Sequence, residues 1–505
     1  MQVLFFIFLI FYISLSSQTI NFTISGNWHI MFLLLMPHII CGGMEFALKE
    51  RKKTIHNLST TQLIALGFLA AIAAGTILLM LPVSSADRHI TPFIDSLFTA
   101  TTSVCVTGLV TLNTSTHWSL FGKIVILILI QLGGLGIVSF STGIMVIFGK
   151  RITLKDRMLL EDALNLDTLK GLVKFLKKIF KGTFIIEGIG ALCYAPVFIK
   201  EYDFLKGTGF AIFHSVSAFC NAGIDLLGDN SLVKYVSNPW MNFVTMFLIV
   251  MGGLGFIVWW DVQENFINVI HKHLTFTKAL QKLRLHSKIT LIATASLIFG
   301  GMILILLLEF TNEGTIGNMS FGNKLMASLF QSVTLRTAGF MTFSQSSLRG
   351  TTVIICLFLM FIGGSSIGTA GGIKTSTFAL LFLSTRATIK GSKHLVVFNK
   401  TIPYRIIHKA LAVTFVSFSV LIAAVFALHL TEGGSLLDCT YEATSAIATV
   451  GLSRDMTGTL HLAGKVIIII CMYLGRIGPI SMAIFFTNGQ KKQLLSYPHE
   501  DVTVG

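Results

Sequence analysis

Val104-Cys105-Val106-Thr107-Gly108 is the first of four short strings that each close a brief apolar stretch on a glycine. The others are Phe219-Cys220-Asn221-Ala222-Gly223, Leu335-Arg336-Thr337-Ala338-Gly339 and Ala448-Thr449-Val450-Gly451. Their glycines lie 115, 116 and 112 residues apart. A second glycine group follows each one: Gly133-Gly134-Leu135-Gly136, Gly252-Gly253-Leu254-Gly255, Gly363-Gly364 and Gly475-Arg476-Ile477-Gly478. The offsets from first to second glycine are 25, 29, 24 and 24 residues. Two motifs kept in step over four copies mark an internal repeat.

The surrounding chain is built for lipid. Of its 505 residues 53% are hydrophobic and only 12% charged, and the mean hydropathy is +0.78. Soluble domains carry about a quarter charged residues, so a soluble enzyme, a disordered chain and a secreted disulfide scaffold are all excluded. The apolar runs are long enough to cross a hydrocarbon core of about 30 Å. Seven cysteines stand singly and form no CxxC pair, so they read as small buried hydrophobes.

Net charge is +15, which would suit nucleic acid, but the position of the charges argues otherwise. Residues 48–56, 149–182, 261–288, 386–409 and 488–505 hold 26 Lys and Arg, against 9 in 83–119, 200–238, 309–350 and 430–465. By the positive-inside rule the first set is cytoplasmic, and both ends of the core are inside. Eight spans are expected, at 61–82, 120–148, 183–199, 239–260, 288–309, 351–385, 409–429 and 464–487. The outer connections hold Pro92–Cys105, Gly209–Cys220, Gly322–Leu335 and Leu436–Thr449, too short to span and suited to re-entrant segments. The expected fold is therefore an all-α membrane protein. It has four tandem span–short helix–span units in pseudo-fourfold symmetry around one pore.

In that arrangement each short helix points the negative end of its dipole at the axis, which favours a cation. The glycines remove the side chain and allow positive φ, so carbonyl oxygens can replace a hydration shell. A ring of carbonyls near Gly108, Gly223, Gly339 and Gly451 suits a bare alkali ion. The candidate filter is Val104, Cys105, Val106, Thr107 and Gly108; Asn221, Ala222 and Gly223; Thr337, Ala338 and Gly339; Thr449, Val450 and Gly451. Helix-packing glycines are the competing reading. It is weak for these four and at least as good for the second glycine group.

The sixth span is interrupted by Gly363-Gly364-Ser365-Ser366-Ile367-Gly368-Thr369-Ala370-Gly371-Gly372, five glycines in ten residues. Each would cost a helix about 1 kcal/mol relative to alanine, so a non-helical loop bordering protein or water is expected, with a plain kink as the minor alternative. The loop follows Gly339 by 24 residues and falls in the ion path. Arg476 is the one charge near the middle of the last span. It reads either as a barrier to cations or as a partner of loop carbonyls. Lys374 ends the loop and is expected to snorkel. Arg336 is expected to point behind the filter toward Glu442, and Glu187 to pair at the surface with Lys177–Lys181.

These strings resemble the Trk/Ktr/HKT superfamily of potassium transporters over about residues 58–490, most closely its Ktr membrane subunit. The likeness rests on Thr101–Leu109, Gln131–Gly136, Ser332–Phe340 and Thr369–Thr375. It implies potassium uptake, commonly stimulated by Na+, and a homodimer with one pore per subunit. It also implies control by a separate cytosolic ring of nucleotide-binding (RCK-type) subunits. No GxGxxG motif occurs in this chain, so nucleotide is expected on the partner and no cofactor here. Resemblance names 363–372 with Lys374 the intramembrane gating loop, with Arg476 beside it, and a glycine at 108 fits potassium-selective members.

The expected divisions are 1–57, a leading segment; 58–150, 151–262, 263–386 and 387–490, the four units; and 491–505, a cytoplasmic tail. Residues 1–43 fit neither a signal peptide nor a span, and a start at Met44 is expected. A sodium- or mixed-cation carrier with alternating access is the alternative function. It is disfavoured because the repeats are parallel and no acidic residue is expected mid-span. A membrane enzyme is remote: no HExxH motif is present, and the GxSxG string at Gly364–Gly368 lies within the glycine-rich loop. The protein is expected in the plasma membrane, with no nucleic-acid partner.

Overall fold

The computed structural model describes residues 60–478, except 138, 141, 144–157, 159, 161–171, 229, 230, 273–277, 279, 280 and 393. The expectations for 1–57, for the tail 491–505 and for the end of the eighth span lie outside the described residues. The first helices are α1 (Thr60–Met80), α2 (Phe93–Cys105) and α3 (Leu120–Leu135), then α4 (Leu172–Tyr202), α5 (Phe204–Cys220), α6 (Pro239–Leu254) and α7 (Phe256–Lys272). They are followed by α8 (Leu285–Glu309), α9 (Phe321–Thr334), α10 (Gly350–Phe361) and α11 (Thr375–Ile389). After a hairpin of β1 (Leu395–Val397) and β2 (Lys400–Ile402) come α12 (Tyr404–Glu432), α13 (Leu436–Ala448) and α14 (Leu462–Ile477).

Among the described residues four helices are long and apolar enough to cross a membrane: Gln62–Met80, Val173–Tyr202, Leu285–Glu309 and Tyr404–Glu432. A fifth candidate is the pair α6–α7, bent by 101°. The other expected spans are shorter because glycines break them. The stretch expected as one span over 120–148 is broken at Gly136, which has φ 80°; α6 stops at Gly255, φ 85°; α14 stops at Gly478, φ 93°. A left-handed glycine cannot carry the helix further without a kink. Conversely, α4 starts earlier than the expected 183, so Lys174, Lys177, Lys178 and Lys181 sit on a helix rather than in a loop. Lys178 lies 5.3 Å from the ring centre of Trp260 on α7.

Polarity is inverted relative to a water-soluble fold. Outward faces are apolar: Phe184, Ile185, Ile189 and Leu192 on α4, Phe299, Ile303 and Leu307 on α8, and Phe415, Phe418, Ile422 and Phe426 on α12 are all exposed. The interior is made of the short helices α2, α5, α9 and α13, whose buried residues include Thr101, Thr102, Ser103, Ser217, Gln331, Ser332, Thr334, Glu442 and Ser445. Those hydroxyls return to backbone, as Ser103 Oγ does to Thr99 O at 2.7 Å, so they enter the core already bonded. The first and last of the described helices are tied into one body: Lys465 Nζ on α14 meets Asp95 Oδ1 on α2 at 2.7 Å, and the Tyr473 hydroxyl donates to Ala65 O on α1 at 2.9 Å.

The hairpin departs from the all-α expectation. Leu395 pairs with Ile402 and Val397 with Lys400, leaving a two-residue turn, Phe398-Asn399, with φ 48° and 60°. That is the left-handed geometry a tight hairpin requires, but with phenylalanine where asparagine or glycine is usual.

Glu309, fully buried at the end of α8, fixes the start of α10. It accepts from Asn312 Nδ2 at 2.6 Å, Thr315 Oγ1 at 2.8 Å, Arg349 N at 3.1 Å and the Thr352 hydroxyl. Glu309→Ala leaves these donors unmet and is expected to cost about 2–3 kcal/mol. Thermal unfolding in detergent measures it, and Glu309→Gln should recover part of the loss.

Candidate functional site

Three of the short helices end on a left-handed residue two positions before the repeated glycine: Val106 (φ 55°), Asn221 (59°) and Thr449 (52°). In the fourth, α9 ends two residues earlier, at Thr334, and after a turn Thr337 (φ 67°) takes the equivalent place. Three of the four are β-branched, and a left-handed β-branched residue costs on the order of 1–3 kcal/mol. The glycines themselves follow at φ 102°, 64°, 83° and 93°. The same strained turn, made four times, aims each chain end inward.

The four ends meet. A Cβ on Gly223 would stand 2.7 Å from Ala338 O, and one on Gly339 the same distance from Val450 O. On Gly108 it would fall on Ala222 O, and on Gly451 on Thr107 O. Each glycine is therefore pressed against the carbonyl preceding the next glycine, and the cycle closes on itself. Four backbone oxygens share one small ring, and no side chain can enter it. The hydroxyls of Thr107, Thr337 and Thr449 are buried nearby without a hydrogen-bond partner.

A feature the sequence reading passed over holds this ring from behind. Thr102 Oγ1 accepts from Gly108 N at 2.9 Å, and Ser445 Oγ from Gly451 N at 3.0 Å. Ser217 Oγ donates to Ile224 O and Thr334 Oγ1 to Phe340 O, both at 2.6 Å. The signal was present as a hydroxyl five or six residues before each glycine.

The second glycine group packs as well as breaks. A Cβ on Gly133, Gly252 or Gly475 would collide with the carbonyl of Val104, Phe219 or Ile447, each four residues before the glycine of its string. These inner helices therefore lie directly under the ends of the short helices.

Residues 362–374 form the loop expected between α10 and α11. Gly363 N donates to Ile373 O (2.9 Å) and Ile373 N to Phe361 O (3.1 Å), closing its neck. Its body is docked on the α6–α7 break: Ser365 N to Gly253 O (2.8 Å), Thr369 N to Gly252 O (3.1 Å) and Phe256 N to Ile367 O (2.9 Å). Thr369 Oγ1 also donates to Phe219 O at 3.0 Å. Gly371 backs onto the Thr449 side chain so closely that a Cβ there would overlap Thr449 Oγ1.

Three cations serve this loop, and none pairs with a carboxylate among the described residues. Arg476 donates to Thr369 O at 2.6 Å, to Gly134 O at 3.4 Å and to Gly133 O. Lys374 does not snorkel; it donates to Ala370 O at 2.8 Å. Arg336 does point behind the ring, but not to Glu442: it reaches Gly363 O (3.0 Å), Thr375 Oγ1 (2.8 Å) and Thr294 O (3.4 Å). Glu442 instead accepts from Ser453 Oγ at 2.8 Å and the Thr457 hydroxyl, on the far side of its own loop. Carbonyl dipoles take the place of counter-ions because a loop so rich in glycine has spare carbonyls.

Glu187 is also corrected. It is buried in the middle of α4, not paired at the surface, and accepts from Gln131 Nε2 at 3.2 Å. Cys220 Sγ lies 3.9 Å from its other oxygen. Helix α4 began earlier than expected, which moved Glu187 from near its start to its centre. An acidic residue does sit mid-helix. His/Cys/Asp/Glu groups able to hold a metal ion are absent among the described residues.

A family model for cation transport proteins, TrkH, matches residues 29–494. The chain belongs to the TrkH family. The Ktr system potassium uptake protein B of Bacillus subtilis is 40% identical over 444 residues, 88% of this chain and 96% of that protein. The potassium/sodium uptake protein NtpJ of Enterococcus hirae is 39% identical over 461 residues, 90% of this chain and 99% of its own. The crystal structure of TrkH from Vibrio parahaemolyticus shares the fold, with TM-score 0.68 over 86% of each chain at 18% identity. Family and apolar helices together make this a multi-pass membrane transporter.

Thr102→Val keeps the volume of Thr102 but removes the acceptor for Gly108 N. It is expected to cost about 1 kcal/mol and to reduce cation discrimination in flux assays, while Thr101→Val, whose hydroxyl serves Leu97 O, should leave discrimination intact.

Proposed function

We propose that this chain is the potassium-translocating subunit of a Ktr-type uptake system, with ions crossing the ring at Gly108, Gly223, Gly339 and Gly451. The closed cycle of four carbonyls is the observation that carries the reading. Backbone oxygens with no room for side chains suit a dehydrated alkali cation. The partnerless hydroxyls of Thr107, Thr337 and Thr449 add oxygen that the protein does not use for itself. The names of the relatives, a potassium uptake protein and a potassium/sodium uptake protein, support the same cargo.

In this reading the four units form eight spans around one pore, with the basic segments cytoplasmic. Residues 363–372 with Lys374 gate it, and Arg476 holds the closed loop through Thr369 O. Its positive charge also opposes cations there. The functional assembly is a homodimer under a cytosolic nucleotide-binding ring, stimulated by Na+. A multi-component system is implied by the relative's name, and the nucleotide belongs to the partner.

A carrier with alternating access is the second reading, and buried Glu187 is the observation that favours it.

Purified protein in liposomes, tested separately with K+ and Na+ gradients, decides between them. K+ flux that loses selectivity in Gly108→Ser is expected, because serine there has no space and an unfavourable φ. Flux that survives Gly108→Ser unchanged but is abolished in Glu187→Gln would favour the carrier. Arg476→Ala is expected to raise flux several-fold in the absence of any regulatory partner; unchanged basal flux would reduce Arg476 to a structural tie.

A further inference from the structure

The hairpin between α11 and α12 is unexplained by ion passage. Its inner face is anchored: Leu395 and Ile402 pack with Ile289, Ala379 and Ile407. Its outer face and tip are not, since Val396 is 57% and Phe398 50% exposed. Phe398 holds φ 48° at the first turn position. A bulky residue there is strained, and such strain kept in place points to a use for the side chain. Glycine would make the turn more easily but would present nothing.

Charge surrounds this apolar tip. Residues 386–409 contain six Lys and Arg and no Asp or Glu. Arg386, Lys390, Lys400, Arg405 and Lys409 are exposed and form no ion pair among the described residues. Lys288, from the start of α8, lies 5.5 Å from the Phe398 ring centre. The hairpin also adjoins a helix longer than the hydrocarbon core is thick. Helix α12 has 29 residues, about 43 Å at 1.5 Å per residue, whereas the hydrocarbon core is about 30 Å. The exposed apolar stripe on α12 begins with Ile406 and Leu411, immediately after the hairpin.

We propose that the hairpin is an interfacial anchor for anionic lipid. Phe398 and Val396 enter the boundary between headgroups and acyl chains, and Lys390, Lys400 and Arg405 engage lipid phosphates. Basic residues spaced only to orient the protein would not need a strained, exposed aromatic tip. A protein docking on the same patch would meet it at the level of the headgroups, in competition with the lipid.

The test uses the full-length protein in vesicles of phosphatidylcholine alone or of phosphatidylcholine and phosphatidylglycerol at three to one. In Phe398→Trp, the emission in excess of wild type should be blue-shifted and quenched by brominated acyl chains, more strongly with phosphatidylglycerol. Reversing Lys390, Lys400 and Arg405 together to glutamate should lower that quenching several-fold. It should also lower the preference of spin-labelled phosphatidylglycerol for the protein, a readout that does not need the tryptophan. Unquenched emission in both lipids would overturn the anchor. So would emission shielded only when a soluble partner protein is added, which would make the hairpin a protein-docking element. Quenching indifferent to phosphatidylglycerol and to charge reversal would overturn the anionic part.

Discussion

The structure depends on one steric constraint: four backbone segments must approach closely enough that each glycine rests on its neighbour's carbonyl oxygen. Nothing with a Cβ fits at Gly108, Gly223, Gly339 or Gly451, and the approach is made only because a left-handed residue precedes each by two positions. Strain of on the order of 1–3 kcal/mol per turn must be offset locally. The short helices supply the offset through close van der Waals packing of buried aromatic residues such as Phe98, Phe219, Phe330 and Tyr441. The hydroxyls of Thr102, Ser217, Thr334 and Ser445 then fix the backbone beyond the turn.

From this constraint the inverted polarity follows. Four helix ends brought together concentrate carbonyl dipoles and hydroxyls in the interior, so polar groups belong inside and apolar groups outside. The inner helices must come close beneath the ring, which forces Gly133, Gly252 and Gly475 against the last carbonyls of the short helices. They must then turn away, which is what Gly136, Gly255 and Gly478 do. Packing and breaking, which competed as readings of the same glycine group, are two consecutive duties within it.

Much of this was legible in the sequence for a simple reason. A backbone that excludes side chains leaves glycine as its mark, and four copies in register expose it. The short helices were legible because their lengths fall below a span; three of them start within one residue of the expected place, and α5 starts earlier, at Phe204. Side-chain partners were not. Arg336 is the one charge within the four strings and Glu442 lies in the next short helix, which suggested a pair, yet each found oxygen closer at hand. Glu187 looked peripheral because basic residues usually end a span, whereas α4 continues through Lys181 and Lys174. The hairpin was hidden because Phe398-Asn399 lacks the glycine that normally announces such a turn.

The loop at 362–374 is better described as a docked element than as a free flap. Three backbone hydrogen bonds clip it to Gly252, Gly253 and Phe256, which flank the 101° bend between α6 and α7. Thr369 alone meets three different parts of the chain: its amide meets Gly252 O, its hydroxyl Phe219 O at the end of α5, and its carbonyl receives Arg476. If this loop gates, it cannot swing aside while the bend stays still without losing bonds that each contribute about 1 kcal/mol. The lower-cost motion is for loop and α7 to move together, changing the angle at Gly255, which ends α6 with φ 85°. A regulator acting on α7 would then reach the loop through Ile367 and Phe256, and reach the ring itself through Thr369 and Phe219.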